Sequence, residues 1–347
     1  MNKSEFNKKP FSNMVYLAKG LGILFVVIGH YELPKIEPEY WVEIRKVLYS
    51  FHMPLFMMLA GYLFGFSKLK TISQKTYLEF LNKKFQRLCF PYITIAVSIL
   101  ALKYFAGIFF TLQHPITKNV WKYILLNPLE GFAPLLWFLY TLFIIFALYP
   151  LIKILVKKEI IILFITIMLS LLSWPKAFCL NLAFYNLPYF VFGVFIARHF
   201  SLETLNTSIN TVWLLVSLIV FSIAYIGSEF LLTFNLISKL LVIVLAISGS
   251  IACIFLASII SQLKILSTLK VFGIYSATIY LLHTLTMGPI KILLSQILNL
   301  TKAYFLLTAI IVCSAGVFIP IIIDKYFIRP NPLILRFVLG VKANKTC

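Results

Sequence analysis

The chain has 347 residues, of which 61% are hydrophobic, 16% aromatic and 12% charged, whereas an average soluble domain is about half apolar and about a quarter charged. Repeated apolar runs of about 20 residues, each long enough for a hydrocarbon core of about 30 Å, exclude a soluble protein. Runs that stay apolar throughout also exclude a β-barrel, whose strands alternate apolar and polar residues. The formal charge of +20, from 31 Lys and Arg against 11 Asp and Glu, reads as a positive-inside topology bias, and no nucleic-acid partner is expected.

The composition and windows predict an all-α polytopic membrane protein with about ten transmembrane helices. The spans fall near 14–32, 48–67, 88–110, 135–155, 159–174, 184–199, 211–228, 236–261, 270–294 and 303–325. The first follows Lys3, Lys8 and Lys9 but carries Lys19 inside and ends in Tyr31-Glu32-Leu33, so it reads as a retained span and not as a signal peptide. The ninth contains Gly288-Pro289, where a kink or stop is expected. The stretch around 111–134, with Gln113-His114-Pro115 and Asn127-Pro128, is long enough for a re-entrant or interfacial helix.

With the N-terminus inside, the inner segments hold 20 of the 31 basic residues and the outer ones nine, Lys19 and Lys239 lying within spans. That bias places both termini in the cytoplasm. No repeat or soluble domain interrupts 1–347, which reads as a single membrane domain. The five cysteines sit at no metal-ligand spacing and read as packing residues.

Ionisable residues at membrane depth are the informative ones, because each is costly unless paired, hydrated or used. Lys19 and His30 are 11 positions apart, about 1100° of helix rotation, which puts them on one face about 16 Å apart along the axis. Lys19 either snorkels to the inner phosphates or offers its charge to a ligand. His30 is either a satisfied interfacial histidine or a proton acceptor. His52, in Ser50-Phe51-His52-Met53-Pro54, and His283, in Tyr280-Leu281-Leu282-His283, fall at matching depth, so three histidines can meet in one layer. Neutral imidazoles suit general-base work, while their sequence spacing does not suit a metal site.

On the inner side, Lys84 and Arg87 share a helix face ahead of Pro91. They form either a positive-inside anchor or a clamp for a phosphate-bearing cofactor. Trp137 opens the fourth span, as an aromatic-belt residue or as a ring on which a sugar stacks. Glu32 lies beside His30 in sequence and could orient it. Gly61 and Gly193 suit close helix packing. Asp324, the only aspartate, is expected to pair with Lys325.

In order, Leu17-Ala18-Lys19-Gly20, Val26-Val27-Ile28-Gly29-His30, Phe51-His52-Met53-Pro54-Leu55-Phe56, Ala60-Gly61-Tyr62-Leu63, Arg87-Leu88-Cys89-Phe90-Pro91-Tyr92, Leu136-Trp137-Phe138-Leu139, Pro188-Tyr189-Phe190-Val191-Phe192-Gly193 and Ser276 to His283 resemble the acyltransferase-3 family of membrane acyltransferases. Within it, the chain resembles O-acetyltransferases of bacterial surface polysaccharides, including the fucose-acetylase-like ones. Lys19 stands where arginine is commoner and cannot form a bidentate fork, which leaves it a simple charge role. The resemblance implies acetyl-CoA as a cytoplasmic acyl donor, a glycan or lipid-linked sugar as acceptor, and no metal. It implies His30 as the catalytic residue, either taking the proton of the acceptor hydroxyl or carrying the acyl group briefly as a nucleophile, with Lys19, His52, His283 and Glu32 in support. Lys84 and Arg87 would bind the cofactor and Trp137 the acceptor, in the bacterial plasma (inner) membrane among its lipids. An extracytoplasmic hydrolase-like domain is not expected, the chain running about 22 residues past the tenth span. The rival readings are a transporter or flippase without chemistry and a glycan polymerase. The first would show related halves and the second a large outer loop, and neither is visible.

Overall fold

A computed structural model describes residues 9–33, 36–67, 74–109, 120–126, 128–131, 133–200, 207–230, 235–263, 267–297 and 302–341. Among these, thirteen α-helices form and no strand does: α1 (Lys9–Gly29), α2 (Glu39–Gly65), α3 (Gln74–Phe109), α4 (Val120–Leu126), α5 (Trp137–Leu155), α6 (Glu159–Leu171), α7 (Leu180–His199), α8 (Thr207–Phe230), α9 (Asn235–Leu263), α10 (Ser267–Ile274), α11 (Ser276–Ile297), α12 (Phe305–Ile323) and α13 (Pro332–Leu339). Eight stretches are long and apolar enough to cross a membrane, and two shorter apolar helices, Asn13–Gly29 and Glu159–Leu171, stand where the first and fifth spans are expected. The chain is an all-α, multi-pass membrane protein. Helices dominate because lipid offers no partner for a bare backbone N–H or C=O.

The helices outrun the apolar windows. α2 starts at Glu39 and α3 at Gln74, because a helix continues through polar residues into the headgroup region while hydropathy registers only its apolar middle. The ninth span departs from expectation in another way. α11 runs through Pro289 without interruption, and the break falls at Tyr275, between α10 and α11. Hydrogen bonds from Tyr275 N–H to Val271 O and from Ile279 N–H to Tyr275 O, both 3.0 Å, bridge that break. In the 111–134 stretch, residues 111–119, which include Gln113, His114 and Pro115, lie outside the described residues, as do Asn127 and Phe132. The described part of that stretch forms the short helix α4 and two 3-10 turns.

The structure divides into two compact units. The first comprises Met1–Phe66 and Phe192–Ile322, hence α1, α2, the end of α7 and α8 to α12. Its core joins Met14, Leu17 and Ala18 of α1 to Phe51, Leu55 and Met58 of α2 and to Cys253 and Ala257 of α9. α1 meets α10 with backbone nearly touching: a Cβ on Gly273 would overlap the Tyr16 carbonyl, and one on Gly20 the Leu269 carbonyl. Gly193 plays the packing part expected of it, since a Cβ there would strike the Met58 carbonyl of α2.

The second unit comprises Ser67–Val191 and Ile323–Cys347. It holds α3 to α6, most of α7, a π-helical turn (Asp324–Ile328) and α13. Asp324 is fully buried, and its carboxylate takes Arg329 Nε at 2.9 Å. The expected pairing with Lys325 is therefore replaced by one with Arg329. The π turn, closed by Arg329 N–H on Asp324 O at 2.9 Å, brings the guanidinium back over the carboxylate. Lys325 instead lies over the Tyr326 ring at 5.2 Å.

The α1–α10 seam has no room for a side chain. Gly273→Leu is expected to force it open at a cost of about 1–3 kcal/mol or more. The thermal midpoint of the purified protein should drop by several degrees, whereas Gly288→Ala, with nothing within 4 Å of its Cβ, should leave it unchanged.

Candidate active site

The site in the first unit begins where α1 stops. His30 N–H donates to Val26 O and Tyr31 N–H to Ile28 O, both at 3.1 Å, and the next side chain anchors the turn. Tyr31 is fully buried, with its hydroxyl 2.6 Å from Thr308 Oγ1. Thr308 spends its own proton on the Phe305 carbonyl at 2.9 Å, so the tyrosine donates. Trp41 Nε1 donates to the Tyr31 carbonyl at 3.1 Å, and the Tyr31, Trp41 and Phe305 rings pack edge to face 5.3–5.9 Å apart. His30 is thereby held half-buried at the end of a rigid helix.

Tyr49 of α2 approaches it from one side. Its hydroxyl donates to Gly29 O at 2.7 Å, leaving lone pairs toward His30 Nδ1 at 3.4 Å. Nδ1 then carries the His30 proton, and Nε2 is bare. His283 of α11 approaches from another side, ring centres 5.2 Å apart. His52, one turn along α2, lies 5.2 Å from the Tyr49 ring. The structure thus links the three histidines as a row, His283, His30, Tyr49, His52.

Backbone carbonyls set the tautomers. His283 Nδ1 lies 2.8 Å from Tyr280 O and 3.0 Å from Ile279 O, and His52 Nδ1 lies 2.6 Å from Leu48 O. A carbonyl accepts only, so in both rings Nδ1 carries the hydrogen and Nε2 the lone pair. His283 is fully buried, and its Nε2 has no hydrogen-bond partner among the described residues. A buried acceptor left so costs about 1–3 kcal/mol.

Glu32 is held elsewhere than on His30. Its carboxylate pairs with Arg45 Nη1 at 2.7 Å, and the same guanidinium reaches Glu37 through Nε and Nη2 at 3.2 Å. Arg45 and Tyr49 were not singled out from sequence. The signal was their spacing, since 45, 49 and 52 form one stripe on a helix, once α2 is extended ahead of its apolar part. Lys19 sits half-buried on α1, on the face that ends in His30. Among the described residues, no three His, Cys, Asp or Glu side chains stand as a metal-ligand group.

Lys84, Arg87 and Trp137 belong to the second unit. Lys84 places its ammonium 3.6 Å over the Phe146 ring and 5.5 Å from that of Phe80, a cation–π seat. Arg87 is exposed. Trp137 opens α5 half-buried, edge-on to Phe138 at 6.3 Å.

An ordinary buried histidine stabilises its surroundings, whereas His283 carries an uncompensated acceptor. His283→Leu is therefore expected to leave the thermal midpoint unchanged or to raise it. A fall of several degrees would mean that Nε2 is satisfied in the folded protein.

Comparison with curated proteins and comparison with solved structures each give no match. A family model described as an acyltransferase domain matches residues 15–325, a range that takes in every candidate side chain named above. The chain belongs to this acyltransferase-3 family of membrane acyltransferases.

Proposed function

We propose that the protein is an O-acetyltransferase of the bacterial plasma membrane, moving an acetyl group from acetyl-CoA on the cytoplasmic side to a hydroxyl of a surface polysaccharide or lipid-linked sugar. The observation that carries the reading is the pair His30 and His283, two imidazoles 5.2 Å apart whose tautomers both leave Nε2 bare. The two free lone pairs place candidate proton acceptors side by side in one unit.

In this reading His30 Nε2 takes the proton of the acceptor hydroxyl as the oxygen attacks the thioester carbonyl. The carbon–sulfur bond breaks, and the proton passes to the departing CoA thiolate, so the protein ends unchanged. The Tyr49 oxygen takes the Nδ1–H of the transient imidazolium of His30, and His283 stands beside it as a neutral ring. The Nδ1–H contact serves equally a His30 that briefly carries the acyl group on Nε2 as a nucleophile. Arg45, with Glu32 and Glu37, ties the chain after His30 to α2. Lys19 draws a negative donor group along the inner part of the α1 face, Lys84 and Arg87 serve the CoA phosphates, and Trp137 offers a ring to the sugar.

The test is mass spectrometry of the surface glycan from host cells making wild type, His30→Ala or no protein, with membrane insertion of the variant checked. An acetyl increment is expected with wild type alone, and loss of a general base corresponds to about 100-fold or more in rate. Identical glycans in all three would refute the assignment and leave transport as the reading. His283→Leu, with its thermal midpoint maintained, is expected to acetylate weakly.

A further inference from the structure

Lys84 and Arg87 are three residues apart and share a face of α3, but their surroundings differ. Lys84 turns its ammonium onto Phe146, at 3.6 Å, while Arg87 is exposed. Beside Arg87 stands α13, in the same unit.

The chain builds α13 with local signals at both ends. Asn331 Oδ1 accepts N–H groups from Leu333 and Ile334 at 3.0 and 3.2 Å, and Pro332 fills the first turn. Gly340 ends it in the left-handed region, φ +62°. A Cβ on Gly340 would overlap the Gln86 carbonyl and the Arg87 Cα, so the end of α13 rests directly on the α3 backbone. One turn back along α13, the Arg336 guanidinium stands 5.9 Å from the Phe90 ring centre, and Phe337 stacks on the same ring at 5.9 Å and 27°.

Arg336 and Gly340 are four apart on α13, and Arg87 and Phe90 three apart on α3. Arg336 thus lies about 6 Å along α13 from the point where Gly340 meets Arg87, and Phe90 about 4.5 Å along α3 from Arg87, so both arginines rise from the same stretch of the α3–α13 seam. Both are exposed. The acidic residues of this unit are mostly engaged: Asp324 with Arg329, Glu159 with Lys153, Glu130 with Lys176, and Glu79 lies eight residues before Arg87 on α3. Two arginines rising from one seam, with no ion pair to either among the described residues, can offer their N–H forks to one multiply charged anion. The positive-inside bias puts α13 and the start of α3 on the same, cytoplasmic, side.

We propose that Arg336 of α13 completes, with Arg87 of α3, the site for the phosphate groups of the CoA donor, and that Lys84 acts there as a half-buried backing charge seated on Phe146. This rests on the reading of the protein as a CoA-dependent acyltransferase. Phosphate chemistry could also be supplied by an anionic lipid headgroup, and the experiment separates the two.

CoA and pantetheine, which lacks the phosphates, are titrated against purified protein in phosphatidylcholine nanodiscs. The proteins compared are wild type, Arg336→Gln, Arg336→Lys and Arg87→Gln, each checked for an unchanged thermal midpoint. Arg336→Gln and Arg87→Gln are each expected to weaken CoA binding about tenfold, Arg336→Lys less, and pantetheine binding is expected to stay the same. Equal CoA affinity of wild type and Arg336→Gln would overturn the site. So would an equal weakening for pantetheine, which would mark a structural role of α13, or an effect of Arg336 seen only when the discs contain phosphatidylglycerol, which would mark a headgroup site. Absence of CoA binding by wild type would instead remove the CoA-dependent reading itself, and this site with it.

Discussion

The way the chain leaves α1 governs the first unit. A helix that ends at membrane depth exposes carbonyls that lipid cannot satisfy, and in this chain the Tyr49 hydroxyl takes the Gly29 carbonyl at 2.7 Å while the Trp41 indole takes that of Tyr31 at 3.1 Å. Each bond that closes off the backbone also fixes a ring beside His30. The Tyr49 proton spent on Gly29 is the reason its oxygen faces His30 as an acceptor. The Tyr31 hydroxyl spent on Thr308 ties the same turn to α12. Backbone satisfaction and the tautomer of the candidate base are one arrangement.

Tautomer control recurs along the row. His52 and His283 each sit on a helix and return Nδ1–H to a carbonyl one turn back, so both offer Nε2 away from their own backbone. In water this preference would be weak. Inside a bilayer, where no solvent competes, it is decisive, and it leaves His283 with an acceptor that nothing among the described residues satisfies. An unsatisfied buried acceptor of that kind costs stability, which makes His283→Leu a direct probe of that nitrogen.

Cations follow a different logic in the second unit. Some find a fixed partner: the half-buried Lys84 an aromatic face, the half-buried Lys153 the Glu159 carboxylate at 2.6 Å, and the exposed Arg329 the fully buried Asp324. Arg87 and Arg336 stay exposed, held in place through backbone contact and ring stacking. The backbone from which each arginine rises is thereby held, and neither forms an ion pair among the described residues.

The sequence by itself determined the all-α membrane architecture, the ten apolar segments and the family, because hydropathy and motif order are sums over local residues and need no partner. It also placed Lys19 and His30 on one face, since an 11-residue interval is a property of a single helix. The signals of α13 were present as well, in Asn331-Pro332 and Gly340, but eight residues beyond the last apolar run give no hydropathy peak. Only the tertiary structure decided which nitrogen of each histidine is free, that Glu32 belongs to Arg45, that Asp324 pairs with Arg329, and that Arg336 lies beside Arg87 almost 250 positions away in the chain. Those outcomes depend on distances of a few ångströms between groups on different helices or turns. Residue order constrains such distances only after the helices have packed.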